Sequence, residues 1–337
     1  MFPTTDRDGD SWDDDKSREI ARSAPGRSSS GFYAGAPEKE PSFGKRDDEE
    51  PEAEEDDEEI PVAPVRRKLS VAIAGFAALL GVGLILGAQS SVPDARLSYA
   101  IVIIGVQLLY ILAFTMAIRP PAAGVVSGVC AVGGAIAAWA AVNSESAGVL
   151  PLVYVTAGTL VAALAGQAIR ARDRTQLRDA LGGTFLIVVG VVSFALLIVL
   201  TRQPVGTQAI LVSLTAVAIA LLVAHLTDAV WPKPRIAAQV PRGAAGVVLG
   251  AMLGTLAAAG LGSVLVLPFT PGKGAILGFA VAGIAGLVDL AVNYSEAGRS
   301  MAGEAPTLWV ARHMQGPLGA FALTLPCTYA LTFFFLS

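Results

Sequence analysis

Three ionisable residues lie inside long apolar runs, where a charge is costly, and they are the first candidates for chemistry. His225 and Asp228 stand about one helical turn apart in "LLVAHLTDAVWPK", so their side chains can reach each other. Asp289 lies near the end of another apolar run, in "GIAGLVDLAVNYSEAGRS". Ionisable groups at such positions usually face a cavity or one another, and they mark sites for ligands, protons or ions.

The spacing around Asp289 predicts which way its side chain points. Gly278 belongs to a run of small residues at four-residue steps, and on an α-helix Asp289 lies only about 20° away from it. Membrane helices approach one another closely along such small residues. Asn293 and, if the helix continues, Glu296 extend the same stripe. The candidate ligand-binding cluster therefore consists of His225, Asp228, Asp289, Asn293 and Glu296.

The same residues also fit a structural interpretation, in which they mark the level where helices leave the membrane. Trp231 and Tyr294 follow the two aspartates and are typical of a membrane interface. His225 would then be a neutral histidine hydrogen-bonded to Asp228. The sequence leaves both the structural and the ligand-binding interpretation open.

No metal site or disulfide is predicted from the residues alone. Cys130 and Cys327 both lie in apolar runs, and the cysteines and histidines show no ligand spacing. The stretch "DGDSWDDD" lacks the glycine and the closing glutamate of a calcium loop at the required positions. The stretch "GKGAILG" lacks the spacing of a phosphate loop. We therefore expect no cofactor on this basis.

The chain divides into two parts of opposite charge. It is 53% hydrophobic and 15% charged, whereas a soluble domain is roughly 25% charged. Residues 1–60 carry 20 of the 28 acidic residues and 8 of the 24 basic ones. With few aliphatic side chains to bury, residues 1–65 are predicted to be a disordered acidic cytoplasmic tail. No cleaved leader is expected, because a basic-then-apolar signal pattern is missing.

Residues 66–337 are predicted to form the transmembrane domain, since a membrane-spanning helix needs about 20 apolar residues. We expect an all-α polytopic membrane helix bundle of about nine transmembrane helices. The seventh span carries Gly246, Gly250 and Gly254 at four-residue steps, which favours close helix packing. The predicted spans are residues 69–89, 98–118, 122–142, 150–168, 181–201, 206–228, 244–267, 275–293 and 316–336.

The basic residues predict the orientation of the bundle. With a cytoplasmic N-terminus, the inner segments carry 13 Lys and Arg residues and the outer loops carry 3, which is the bias of inner loops in membrane proteins. We expect a multi-pass protein of the cell (plasma or inner) membrane, with its C-terminus outside. Arg242, Arg299 and Arg312 then lie on the cytoplasmic side and are candidate contacts for a phosphate or lipid headgroup.

Five features of the C-terminal third match those of one family in type and order, and the distances from the proline loop to Asp289 and from Asp289 to Pro326 are close to those of that family. They are Asp228, the "VPRG" loop at 240–243, Asp289, His313 and Pro326. Over about residues 225–336 the chain resembles the membrane phosphatidate cytidylyltransferases, or CDP-diacylglycerol synthases. The resemblance implies a nine-span plan and a transferase that uses CTP, phosphatidic acid and divalent cations such as Mg²⁺.

The sequence differs from that family at the positions where the family carries its catalytic and substrate-binding residues. Val288 replaces the glycine before the aspartate, and the family's Lys-Arg and Lys-Asp pairs are missing. The family's final Asp-Arg-x-x-Asp is replaced by the apolar stretch "PLGAFALTLP". The resemblance therefore implies a degenerate member with a reduced site.

Three functions fit the sequence. The favoured one is a non-catalytic lipid- or partner-binding protein of the cell envelope, a scaffold or accessory protein that recruits a cytoplasmic protein through residues 1–60. The second is a CDP-diacylglycerol-synthase-like transferase with a reduced site, which would need Mg²⁺. The third is a transporter or lipid flippase that uses the buried ionisable groups as a proton or ion relay. Membrane lipids are expected partners in each case, and nucleic acid is not.

Overall fold

The computed structural model describes residues 63–64, 66–91, 96–145, 147–170 and 174–336, with residues 174–177 and 179 as backbone only. Apart from Ala63 and Pro64, the predicted disordered tail lies outside the described residues. The described chain is helical almost throughout and forms no strand.

Nine helices of the described chain are long and apolar enough to cross a membrane, which confirms the predicted all-α membrane bundle. In chain order they are α1 (Arg67–Gln89), α2 (Arg96–Ile118), α3 (Ala123–Asn143), α4 (Leu150–Arg170), α5 (Arg174–Thr201), α6 (Gly206–Val230), α7 (Ala244–Val264), α8 (Pro271–Met301) and α9 (Trp309–Leu331). A π-helical turn, Thr332–Leu336, continues α9.

Several predicted spans are shorter than the observed helices, and the differences are largest for α5, α8 and α9. Helix α5 begins at Arg174, seven residues before the predicted start at 181. Helix α8 begins at Pro271 and ends at Met301, and α9 begins at Trp309, seven residues before the predicted start at 316. The start of α8 is favoured by proline at its first position and by Thr270, whose hydroxyl accepts a hydrogen bond from the Lys273 amide. The added turns at the other end of α8 and at the start of α9 carry polar residues, which an apolar window excludes.

Helices α5 and α6 are the most deeply buried of the nine. Helix α5 packs against α2, α3 and α4, and α6 packs against α1, α7 and α8. Helix α9 contacts members of both groups. The apolar core accordingly follows α5 and α6, and the outer helices turn their exposed apolar side chains towards the predicted lipid.

One end of the bundle carries most of the groups with chemical potential. At this end α1, α7 and α9 begin, and α6 and α8 end. Arginines 66, 242, 299 and 312 line one cavity there. We call it the basic end; it corresponds to the predicted cytoplasmic side.

The glycine stripe of α7 allows this helix to pack closely against its neighbours. Gly246, Gly250 and Gly254 are all buried. A Cβ atom at Gly254 would lie 2.5 Å from the Ala216 carbonyl oxygen of α6 and 3.2 Å from the Ala282 Cβ of α8. The stripe therefore allows three helices to meet, as small residues do in membranes.

The Gly254→Ala variant tests this contact. We expect it to destabilise the bundle by about 1–3 kcal/mol, because the added methyl group overpacks the junction of α6, α7 and α8. The measurement is thermal unfolding of the full chain in detergent micelles. Gly260→Ala is the matched control on the same helix, since a Cβ there meets no atom within 4 Å. Equal unfolding temperatures for the two variants would contradict the packing argument.

Candidate functional site

Four ionisable side chains meet in the interior at the basic end. They are His225, Asp228, Arg242 and Asp289, each no more than 2% exposed, and we call them the buried tetrad. Arg242 lies between the two aspartates. Its Nη1 is 2.5 Å from Oδ2 of Asp228, and its Nη2 is 2.8 Å from Oδ2 of Asp289. The tetrad thus contains two ion pairs that share one guanidinium group.

The hydrogen bonds of His225 assign its protonation. Nδ1 of His225 lies 3.0 Å from Nη1 of Arg242, and Nε2 lies 3.1 Å from Oδ1 of Asp289. Because a guanidinium group can only donate, Nδ1 accepts and the ring proton is on Nε2, which donates to Asp289. His225 is therefore the neutral tautomer, and two carboxylates face one guanidinium group. The tetrad carries a net charge of −1 in this state.

The connection between α6 and α7 brings Arg242 back to α6. The Ile236 amide donates to the Arg242 carbonyl oxygen at 3.1 Å, and the Ala244 amide donates to the Pro234 carbonyl oxygen at 2.9 Å. Gly243 follows Arg242, and its amide donates to Oδ1 of Asp228 at 3.0 Å. The end of α6 and the start of α7 are thereby tied to one carboxylate.

Two glycines leave room for the carboxylates. A Cβ atom at Gly316 on α9 would lie 2.6 Å from Oδ1 of Asp289, and one at Gly246 on α7 would overlap Oδ1 of Asp228. Side chains at these positions would push the aspartates away from Arg242. The tetrad therefore lies where α6, α7, α8 and α9 meet.

The structure places the other predicted cluster residues outside the tetrad. The Asn293 side chain donates to the Asp289 carbonyl oxygen at 2.7 Å, within its own helix. Glu296 is further along α8 in a separate group of contacts. The expected hydrogen bond between His225 and Asp228 is replaced by the bond from His225 to Asp289, because Arg242 occupies the Nδ1 side of the ring.

Glu296 belongs to what we call the outer cluster, together with Arg299, Thr307 and Arg312. Oε2 of Glu296 lies 2.5 Å from Nη2 of Arg299, and Oε1 lies 3.6 Å from Nη1 of Arg312. The Thr307 hydroxyl donates to Oε2 of Glu296 at 2.6 Å. The outer cluster fastens the connection between α8 and α9 to the end of α8.

Two arginine contacts extend this fastening to α2. Arg299 donates to the carbonyl oxygen of Ala117, and Nη2 of Arg119 donates to the carbonyl oxygen of Pro306 at 3.0 Å. Arg299 and Arg312, which were predicted to contact a headgroup, both pair with Glu296 in the structure. Arg242, the third predicted headgroup contact, belongs to the tetrad.

A cavity of about 440 Å³ lies between the two clusters. Its walls include charged residues of both clusters and apolar residues of α1 and α8. The lining includes Arg66, Leu69, Ile73, His225, Arg242, Val292, Arg299, Ser300, Pro306 and Arg312. A ligand in this cavity would contact the tetrad on one side and the outer cluster on the other.

The tetrad does not fit the Mg²⁺ site that the CDP-diacylglycerol synthase resemblance implies. All four carboxylate oxygens of Asp228 and Asp289 already face Arg242, His225 or the Gly243 amide. Mg²⁺ requires carboxylate oxygens that are free to bind it. In the described parts of the chain, no three His, Cys, Asp or Glu side chains are grouped so that they could hold a metal ion. His313, the other histidine, bonds the Trp309 carbonyl oxygen at 2.9 Å.

Arg242→Met tests the role of the tetrad. Removing the guanidinium group leaves two buried carboxylates without their shared cation, so we expect a loss of about 3–5 kcal/mol of stability. The measurement is thermal unfolding of the full chain in detergent micelles. Lys233→Met, an exposed change in the same connection, is the control. A triple variant with Arg242→Met, Asp228→Asn and Asp289→Asn should recover part of the loss. No recovery would mean that Arg242 stabilises the fold through packing alone.

Comparisons of the chain with protein-family models, with curated proteins and with solved structures found no match. The function has to be inferred from the geometry of the site itself.

Proposed function

We propose that the protein is a non-catalytic, lipid-binding accessory protein of the cell envelope, and that it holds its lipid in the cavity at the basic end. The observation that carries the proposal is a tetrad whose charged atoms bind one another beside an accessible cavity. Such a tetrad fixes the helices around a ligand, and each of its carboxylate oxygens already faces Arg242, His225 or the Gly243 amide.

The transferase alternative is disfavoured by the same contacts. Phosphoryl and nucleotidyl transfer depend on divalent cations that neutralise the charge developing on phosphate oxygens. A cation that binds Asp228 and Asp289 would have to displace Arg242. Breaking a buried ion pair in this way is costly, because the released guanidinium group would stay buried without its partner.

The composition of the cavity supports a lipid as the ligand. Its volume of about 440 Å³ is within the range of small-molecule sites, about 300–1,000 Å³. Leu69, Ile73 and Val292 supply apolar surface, and arginines supply charge. An amphiphile that places its headgroup at the arginines and its apolar part along α1 matches this division.

Two guanidinium groups also have donors to spare. The Nε atoms of Arg242 and Arg299 have no hydrogen-bond acceptor among the described residues, and both side chains line the cavity. Buried donors without acceptors are costly. Since neither Nε atom is accessible from the cavity, a ligand with phosphate or carbonyl oxygens would reach them only after the arginine side chains turn.

A proton-coupled transporter is the second candidate, and one observation favours it. The tetrad has a net charge of −1, and neutral His225 lines the cavity. However, the buried face of α6 beyond His225 is almost entirely apolar and includes Ala216, Val217 and Leu221. The described face of α6 therefore offers no polar path from His225 towards the other end of that helix, and we prefer the binding function.

The Ser300→Trp variant tests lipid binding in the cavity. Ser300 is exposed and lines the cavity, so an indole there should occupy the ligand's space. We expect the purified full chain to retain several-fold less co-purified lipid, measured by extraction and mass spectrometry. Ser295→Trp, at another exposed position of α8, is the matched control and should retain lipid as the unmodified chain does. Equal retention in both variants would count against the cavity as the lipid site.

A second experiment tests the absence of catalysis. We expect purified protein supplied with CTP, phosphatidic acid and Mg²⁺ to form no CDP-diacylglycerol, because both aspartates are held by Arg242. The assay follows radiolabelled CTP into the lipid phase, with Asp289→Asn as the comparison. Product that forms with the unmodified chain and disappears in Asp289→Asn would establish the transferase and reject the proposal.

A further inference from the structure

A second recess adjoins the cavity, and its charged residues are all basic. It has a volume of about 590 Å³ and shares Arg66, Leu69, Pro306 and Arg312 with the first cavity. Its lining also includes the basic residues Arg67 and Lys68 and the indole of Trp309. Four cationic side chains therefore face one space, and no carboxylate of the described residues lines it.

These cations have few partners of opposite charge. Within the described parts of the chain, Arg66, Arg67 and Lys68 take part in no ion pair, and Arg312 reaches Glu296 only at 3.6 Å. Glu296 is already held by Arg299 at 2.5 Å. Clustered like charges repel one another, so a bound anion would lower the electrostatic energy of this recess.

The start of α1 adds to the attraction for an anion. Its first turn contains no acidic residue, and the side chain of Arg66, the residue at its N-cap, makes no capping hydrogen bond. The first amide groups of a helix lack partners within the helix, and this end of the helix carries a partial positive charge. Here that charge adds to three basic side chains at positions 66–68, whereas a helix start more often carries acids.

The surroundings of the recess favour a lipid over a soluble anion. Trp309 is 64% exposed, and its neighbours Leu308 and Val310 are also exposed. Beyond the basic residues, α1 exposes Val71, Leu79 and other apolar side chains along its length. The basic residues come first, followed by the exposed indole and then by the apolar face of α1. This order matches the headgroup, interface and acyl-chain layers of an anionic membrane.

We infer that Arg66, Arg67, Lys68 and Arg312 bind the phosphate of an anionic phospholipid, whose acyl chains lie along the exposed face of α1. The inference rests on the proposed lipid-binding function and names the ligand class: a phosphate-bearing lipid with net negative charge. The shared chemistry with free phosphate is the charge-assisted hydrogen bond from guanidinium to phosphate oxygen. Selectivity for the lipid comes from Trp309 and the apolar face of α1.

The test is native mass spectrometry of the full chain in detergent, titrated separately with phosphatidylglycerol, phosphatidylcholine and inorganic phosphate. We expect phosphatidylglycerol to bind at least about tenfold more tightly than phosphatidylcholine, the ratio that one extra charge-assisted contact provides. Inorganic phosphate should bind more weakly than phosphatidylglycerol, because it lacks the apolar part. Equal binding of the two lipids would overturn the inference. Phosphate binding that equals that of phosphatidylglycerol would make the site one for free phosphate.

Paired variants then locate the binding. Arg66→Gln with Arg67→Gln removes two positive charges without breaking an ion pair of the described residues, and should weaken phosphatidylglycerol binding by about tenfold or more. Arg170→Gln with Arg178→Gln removes two exposed positive charges elsewhere on the predicted cytoplasmic side, and should leave binding unchanged. An equal loss in both pairs would mean diffuse attraction to the basic surface, and the site would be rejected.

Two further outcomes separate this inference from the proposed function. One outcome is that the double variant Arg66→Gln with Arg67→Gln binds phosphatidylglycerol normally while Ser300→Trp still loses lipid. The phosphate site would then be rejected and the lipid-binding function would stand. CDP-diacylglycerol synthesis would reject the proposed function without affecting this titration. An acidic peptide that binds in place of phosphatidylglycerol, and depends on the same two arginines, would identify a protein partner and overturn the lipid assignment.

Discussion

The shared guanidinium group of Arg242 is the contact on which the basic end depends. Removing a carboxylate from water costs several kcal/mol even after relaxation, and this bundle removes two. A single arginine compensates both because its planar group can donate in two directions at once. Several local features serve this contact: the folded connection between α6 and α7, the Gly243 amide, and the missing side chains at Gly246 and Gly316. Each of them brings a donor to a carboxylate or makes room for one.

The division between the tetrad and the neighbouring recess gives the proposed function its physical basis. Every carboxylate oxygen of the tetrad faces a donor group or the guanidinium charge, so the tetrad holds α6, α7, α8 and α9 in place. The recess has the opposite character, since its basic groups outnumber their acidic partners among the described residues. A protein that binds an anionic amphiphile needs both features: helices that are held in fixed positions, and a binding surface with uncompensated positive charge. Catalysis on a nucleotide would need free carboxylates where this bundle has ion pairs.

Much of this arrangement could be predicted from the sequence, because it follows from periodicity. The nine spans, the glycine stripe of α7 and the inward direction of Asp289 all depend on the geometry of one helix at a time. The role of Arg242 could not be predicted in this way. It lies in a connection, and its partners come from helices on both sides of it along the chain. The structural interpretation of the sequence pairs His225 with its neighbour Asp228, but proximity along a helix does not fix where a ring points. In the structure Arg242 and Asp289 contact its two nitrogens.

The order of the tetrad residues along the chain has a consequence for biogenesis. Asp228 and Arg242 belong to the end of α6 and the connection after it, so they leave the ribosome together and can pair before α8 is made. Asp289 arrives later, on a helix that would otherwise enter the bilayer with an unbalanced carboxylate. A guanidinium group already in place, with a second donor site free, gives that helix a reason to insert beside α6. The pair between Arg242 and Asp289 would therefore link the insertion of α8 to its packing beside α6.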